Sequence, residues 1–191
     1  MYSVNQLTGF GAKQDTACTF GSIASSAGNF DNNGWNTSPM TTIRQYIASS
    51  ALSASGGSQI RITFRAATSG GGFNLVKAWV GARNMAGEKL DFDGNQAQLQ
   101  FGGNDGILIA ANTEEVSDSS AFTLPSSTDL IISYGVNGAS TDDIRSRITQ
   151  ANWEGWYQFS IDDVATENVT QSNYTQDSRD MIGVVNVELC S

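Results

Sequence analysis

The clearest pattern of apolar and polar positions lies in residues 59–81. Ile60, Ile62 and Phe64 alternate with Arg61, Thr63 and Arg65. A strand turns successive side chains to opposite faces, so this is a strand with one apolar and one wet face. Residues 73–80 are more continuously apolar, as in a strand near the middle of a packed sheet. Gly70, Gly71 and Gly72 between the two let the backbone bend back without steric cost. The pair therefore reads as a hairpin at the centre of an all-β domain.

The same reading extends along the chain. Ala97, Leu99 and Phe101 alternate with Gln96, Gln98 and Gln100. Residues 40–47, 107–109, 130–136 and 181–189 read as further strands, 107–109 and 130–136 as buried ones, and 17–23 and 121–124 as shorter pieces. Turn signals stand between them at Asn33-Gly34, Asp93-Gly94, Gly102-Gly103 and Pro125. Residues 48–55 lack an apolar stripe and read as a loop. Residues 110–115 and 162–177 read as polar links, and 142–150 has a short helix-like composition. About eight to ten short strands with no recurrent helix pattern predict a single antiparallel β-sandwich of jelly-roll or Greek-key type with long polar loops. It spans residues 1–191 as one domain, with 1–40 as an N-terminal arm or edge strands. There is no fixed repeat and no heptad run, which speaks against a fibrous shaft or a coiled coil.

Composition narrows the function classes. Only 15 % of the 191 residues are charged and 39 % are apolar, so Ser, Thr, Asn, Gln and Gly must supply the polar surface. The net charge of −9 disfavours nucleic acid and anionic membrane as partners, because both call for a basic surface. No segment approaches the roughly 20 apolar residues of a membrane span. The opening Met1-Tyr2-Ser3-Val4 has no basic region followed by an apolar run, so no secretory leader is expected. An extracellular type of surface without a leader fits a particle assembled in the cytosol and released by lysis.

Histidine is absent, which removes the commonest general base and the Ser-His-Asp, Cys-His and His-metal arrangements. No phosphate-binding motif occurs. Carboxylate pairs occur at Asp91 with Asp93, Asp142 with Asp143 and Asp162 with Asp163. Neighbours on a strand point opposite ways, so the adjacent pairs are poor candidates for a shared site. The sequence implies no enzyme activity and no cofactor. Asp91, Asp93 and Asn95 place hard oxygen donors at alternate positions, as a calcium loop would. They lack the distal Glu, and a strand ending in an Asp-Gly turn is the preferred reading. Trp153, Trp156, Tyr157 and Phe159 offer a sugar platform, core residues or an interface anchor. Trp156 and Gln158 should face away from Tyr157 and Phe159. Cys18 and Cys190 stand near opposite ends of the chain. They read as a bridge within the chain, a bridge between subunits, or two unpaired thiols.

Seven stretches taken in order resemble a β-sandwich domain of bacteriophage virion and tail-associated proteins, similar to accessory sandwich domains of SGNH-type esterases. They are Thr42-Ile43-Arg44-Gln45-Tyr46-Ile47, residues 60–64, Val80-Gly81, Phe92-Asp93-Gly94, Leu99-Gln100-Phe101-Gly102-Gly103, Val116-Ser117-Asp118 and residues 129–133. The resemblance implies a structural or binding sandwich and no reaction, since none of the seven is a catalytic motif. It leads us to expect a non-enzymatic virion structural protein, exposed on the particle exterior as a capsid decoration, neck or tail component. Such a protein would be a homo-oligomer, in contact with other virion proteins. The alternative is a carbohydrate-binding module that recognises host-surface glycans through Trp153, Trp156 and Tyr157.

Overall fold

The computed structural model describes residues 18–26, 40–66, 72–137, 146–147, 150–177 and 181–191. Of the arm or edge strands expected over 1–40, residues 1–17 and 27–39, with the Asn33-Gly34 turn, lie outside the described residues, as do Gly70-Gly71 and the Asp142-Asp143 pair. Among the described residues the strands are, in chain order, β1 (Phe20–Ser25), β2 (Thr41–Ile47), β3 (Gln59–Arg65), β4 (Phe73–Ala82), β5 (Ala97–Leu99), β6 (Ile107–Ile109), β7 (Glu114–Val116), β8 (Ser120–Ala121), β9 (Leu130–Val136), β10 (Ser146–Arg147), β11 (Trp153–Phe159), β12 (Thr175–Gln176), β13 (Met181–Ile182) and β14 (Val184–Cys190). This is more than the expected number, because several strands are two- or three-residue edge pieces. A 3-10 turn, Ser49–Ala51, opens the loop that follows β2, and a second, Gln171–Asn173, precedes β12. The helix-like composition of 142–150 does not make a helix at Ser146 and Arg147, which pair with β13.

The sheets are antiparallel throughout. The smaller runs β1-β14-β3-β7, with β8 beside β3; the larger runs β12-β11-β2-β9-β4-β5, with β6 beside β4. With β5/β6 and β7/β8 each counted as one broken edge strand, the orders β1-β14-β3-β7/β8 and β2-β9-β4-β5/β6 are those of an eight-stranded jelly roll. Strand β11 is the addition, widening the larger sheet beyond β2.

The expected hairpin is corrected here. β3 lies between β14 and the short β7 and β8, whereas β4 lies between β9 and the short β5 and β6. The two strands belong to different sheets, and their apolar faces meet across the core instead of side by side. Alternation fixes which face of a strand is buried, and it is silent about which sheet receives it. The near-continuous apolar run of β4 has a local cause. A bulge between Leu75 and Lys77 shifts the phase by one residue, so Phe73 and Leu75 before it, and Ala78, Val80 and Ala82 after it, all face inward. Phe64 sits at the centre of this interior, edge-on to Phe101 at 5.9 Å and to Tyr134 at 5.2 Å.

The outer faces differ. β2 and β9 are buried at every position. Ile43 and Ile47 of β2 face the sandwich interior, while Thr42, Arg44 and Tyr46 face outward beneath the segments 83–96 and 160–174. Leu90, Phe92, Val164, Val169 and Tyr174 from those segments are buried against this face. Gly81 admits the ring of Phe92, since a Cβ there would stand 2.5 Å from Cδ1; at Gly135 it would stand 3.0 Å from Val164. The stretch expected to be a polar link is thus a cover. The outer face of the smaller sheet is polar and half-exposed. Arg61 donates to Glu188 at 2.7 and 3.0 Å and lies over the Phe20 ring at 4.3 Å. Residues 107–109 form a strand as expected, but Leu108 is 65 % exposed because β6 is an edge piece with an uncovered outer side. The closing strand breaks at Gly183 (φ +69°) into β13 and β14.

Cys18 and Cys190 form a disulfide within the chain, with Cα atoms 5.5 Å apart and a sequence separation of 172. Of the three readings open for these residues, the intersubunit bridge and the unpaired thiols give way to the intrachain bond.

Candidate functional site

Strand register brings Ile47, Leu130 and Ala82 side by side, so the chain leaves β2 and β4 and enters β9 at one end of the sandwich. The 48–58 loop, the 122–129 loop and the disulfide meet there. Asp129, immediately before β9, fixes the corner. Its carboxylate accepts from the Ser49 N–H and the Tyr46 hydroxyl, each at 2.8 Å, and from Arg83 Nη1 at 3.2 Å. Burial alone would raise its pKa. The bonds from Ser49, Tyr46 and Arg83 outweigh that and hold it below the ordinary carboxylate value. Tyr46 moves the other way, pushed up to about 12 by burial first and then by the neighbouring carboxylate.

These shifts give a pH dependence with a definite sign. Asp129 is depressed in the fold, so its stabilising contribution is fully present above about pH 4 and is lost as pH falls through the lowered value. Tyr46 is raised, so its contribution is present below about pH 10 and is lost between about 10 and 12. Urea unfolding of Asp129→Asn should therefore show a flatter acid limb than the parent as pH falls below about 4. Parallel limbs in the two proteins would remove Asp129 from the account.

Beside this corner the two loops enclose a hollow of about 420 Å³. They are laced to each other and to the sheets. Gly56 and Leu124 exchange backbone hydrogen bonds at 2.7 and 3.0 Å, and the N–H and hydroxyl of Ser53 both donate to the Ile23 carbonyl, at 2.8 and 3.1 Å. Two further hollows adjoin. One of about 390 Å³ meets the first at Pro125 and includes Asp93, Asn95 and Thr123 in its wall. The other, of about 140 Å³, shares the run from Ser53 to Ser55 and reaches Ser22 and Ser191.

The aromatic set does not form one platform. Trp153 is buried in the sandwich core and Tyr157 packs against the same core. Trp156 faces the other side, packed beside Tyr46, with its indole N–H donating to Glu154 at 3.1 Å. Phe159 is 49 % exposed, its ring 5.0 Å from that of Tyr157. The carboxylates are likewise separated. Asp91 is buried and accepts the N–H groups of Glu88 and Val169, each at 2.8 Å. Asp93 accepts the Asn95 N–H at 2.9 Å across Gly94 (φ +91°), which is the turn geometry expected of Asp-Gly. Asp162 pairs with Lys77 at 2.7 Å, while Asp163 accepts the Tyr174 hydroxyl at 2.5 Å. Among the described residues, no group of three or more His, Cys, Asp or Glu could hold a metal ion.

Comparison of the chain with protein-family models and with curated proteins gave no match. The stretches behind the phage-sandwich resemblance nonetheless share a physical role. Phe92 fills the space over Gly81, Asp118 accepts the N–H groups of Gly102 and Gly103 at 3.1 and 2.8 Å, Ser117 Oγ accepts the Ile62 N–H at 3.0 Å, and Asp129 accepts from Tyr46. They hold strands and turns in place.

Sequence reasoning passed over two groups. Arg44 is completely buried, and its guanidinium donates to the carbonyls of Leu90, Asp163 at 3.0 Å and Thr166 at 2.5 Å, with Phe92 stacked 4.8 Å away. Burial lowers its pKa, opposed by Tyr174 and by the nearby carboxylates of Asp163 and Asp91. A cation among β-formers in Thr-Ile-Arg-Gln-Tyr-Ile was the available signal. The second group is the serine-rich loop pair, whose sequence says only that it is polar.

Proposed function

We propose that the chain is a non-enzymatic structural protein of a bacteriophage particle, carried on the exterior as a capsid decoration, neck or tail component. The observation behind this reading is the interlocking of the resembling stretches. Each fixes backbone geometry in a jelly roll, so the likeness concerns a scaffold and carries no catalytic group with it. Jelly rolls serve as capsid and lectin domains, and fold by itself does not choose between them. A net charge of −9 gives free copies a mutual repulsion in solution. Repetition on a symmetric particle then gives weak individual contacts a collective strength.

In a density gradient of lysate containing phage particles and the chain, the chain should co-sediment with the particles. Light scattering of the purified protein should give a mass that reductant leaves unchanged, because the disulfide closes within one chain. A chain that stays with the soluble fraction of the gradient would overturn the reading.

A further inference from the structure

We propose that the serine-rich end of the sandwich binds a neutral oligosaccharide. Ser49, Ser50, Ser53, Ser55, Ser127 and Thr128 line the hollow of about 420 Å³. A hydroxyl can both donate and accept, which matches the alternating donors and acceptors of a sugar ring; those of Ser53 and Thr128 donate to the carbonyls of Ile23 and Ser126 and keep their acceptor side for a ligand. Leu52, Leu124 and Pro125 give the same wall an apolar portion for the C–H faces of a ring. No Lys or Arg lines any of the three hollows, and Asp93 is their sole acidic side chain. An anionic ligand would find no cationic side chain there, and a cationic one would meet no acidic side chain in the hollow of about 420 Å³.

The three hollows adjoin through shared wall residues, Pro125 on one side and Ser53 to Ser55 on the other, which suits a chain of several sugar units over a single compact ligand. The two larger volumes fall within the range of ligand sites. The surface is also preformed. The Gly56–Leu124 pairing, the Ser53–Ile23 bonds and the Ser49–Asp129 bond hold both loops, and Ser127 is kept at φ +57°. A non-glycine residue in that region persists only where its surroundings impose it, and such residues gather at binding sites. Holding the loops beforehand lowers the ordering cost of binding. This site is distinct from Trp153, Trp156 and Tyr157, which the fold sends to opposite faces.

The test is titration of the isotope-labelled protein with maltohexaose, cellohexaose and chitohexaose, followed by amide chemical shifts, with a hexamer of galacturonic acid as the charged control. At least one neutral hexamer should shift amides within 49–57 and 122–128, with a dissociation constant on the order of 1 mM, and the charged control should shift none. Ala54→Trp, or Ser50→Trp should the first variant misfold, blocks the hollow and should weaken binding at least about tenfold. Trp156→Ala should leave it unchanged. No shift with any neutral hexamer at about 10 mM, or shifts centred on Trp156, would overturn the proposal. The titration uses isolated protein, so it stands or falls independently of co-sedimentation with particles.

Discussion

Arg44→Ala should destabilise the protein by roughly 3–5 kcal/mol, the cost typical of removing one partner from a buried charged network. The loss has two parts. The carbonyls of Leu90, Asp163 and Thr166 lose their donor, and each buried unpaired acceptor costs about 1–3 kcal/mol before relaxation. The Phe92 ring also loses the cation stacked on it. Because all three carbonyls lie in the segments covering the larger sheet, the damage should be local before it is global. Hydrogen exchange at 160–174 should quicken in the variant more than exchange in β3 or β14. Arg44→Lys should recover little, since one ammonium cannot reproduce a planar fork reaching three carbonyls. Urea midpoints corresponding to less than about 1 kcal/mol of loss, with uniform exchange, would mean that the cover is held by its apolar residues alone.

Breaking the Cys18–Cys190 bond should cost about 2–5 kcal/mol. The chain-entropy model puts the upper end near 5 kcal/mol, because the cysteines have a sequence separation of 172. Cys18→Ser/Cys190→Ser and the reduced parent should unfold at the same lowered urea midpoint. Exchange should rise first in β1, an edge strand held by β14 on one side. If reductant leaves the midpoint of the parent unmoved, the bond contributes nothing and this expectation fails.

The sequence made the strands legible wherever one side of a strand was wet. β3 and β5 show this, as their apolar and polar residues alternate in register with the faces they adopt. β2 and β9 could be named as strands from β-propensity but not understood, because both of their faces are covered. The cover itself was invisible. Val164, Val169 and Tyr174 stand five residues apart in an otherwise polar stretch, a spacing that follows neither a helix nor a strand period. Sheet membership was misread for β4, because pairing depends on contacts far apart in sequence and a glycine-rich link is compatible with either a hairpin or a crossing. The hollow was unreadable for a similar reason. Its serines come from two loops more than sixty positions apart, and the Gly56–Leu124 pairing unites them only in the folded chain.

The position of the disulfide has a mechanical consequence. Cys18 and Cys190 bracket every described strand except the final residue of β14. Tension entering the chain at Cys18 and leaving at Cys190 therefore passes through one covalent bond. The hydrogen-bonded ladders between those points carry none of that load. Under pull the domain should behave as an inextensible bead, adding no length until the sulfur–sulfur bond is reduced and the strands are left to bear the force.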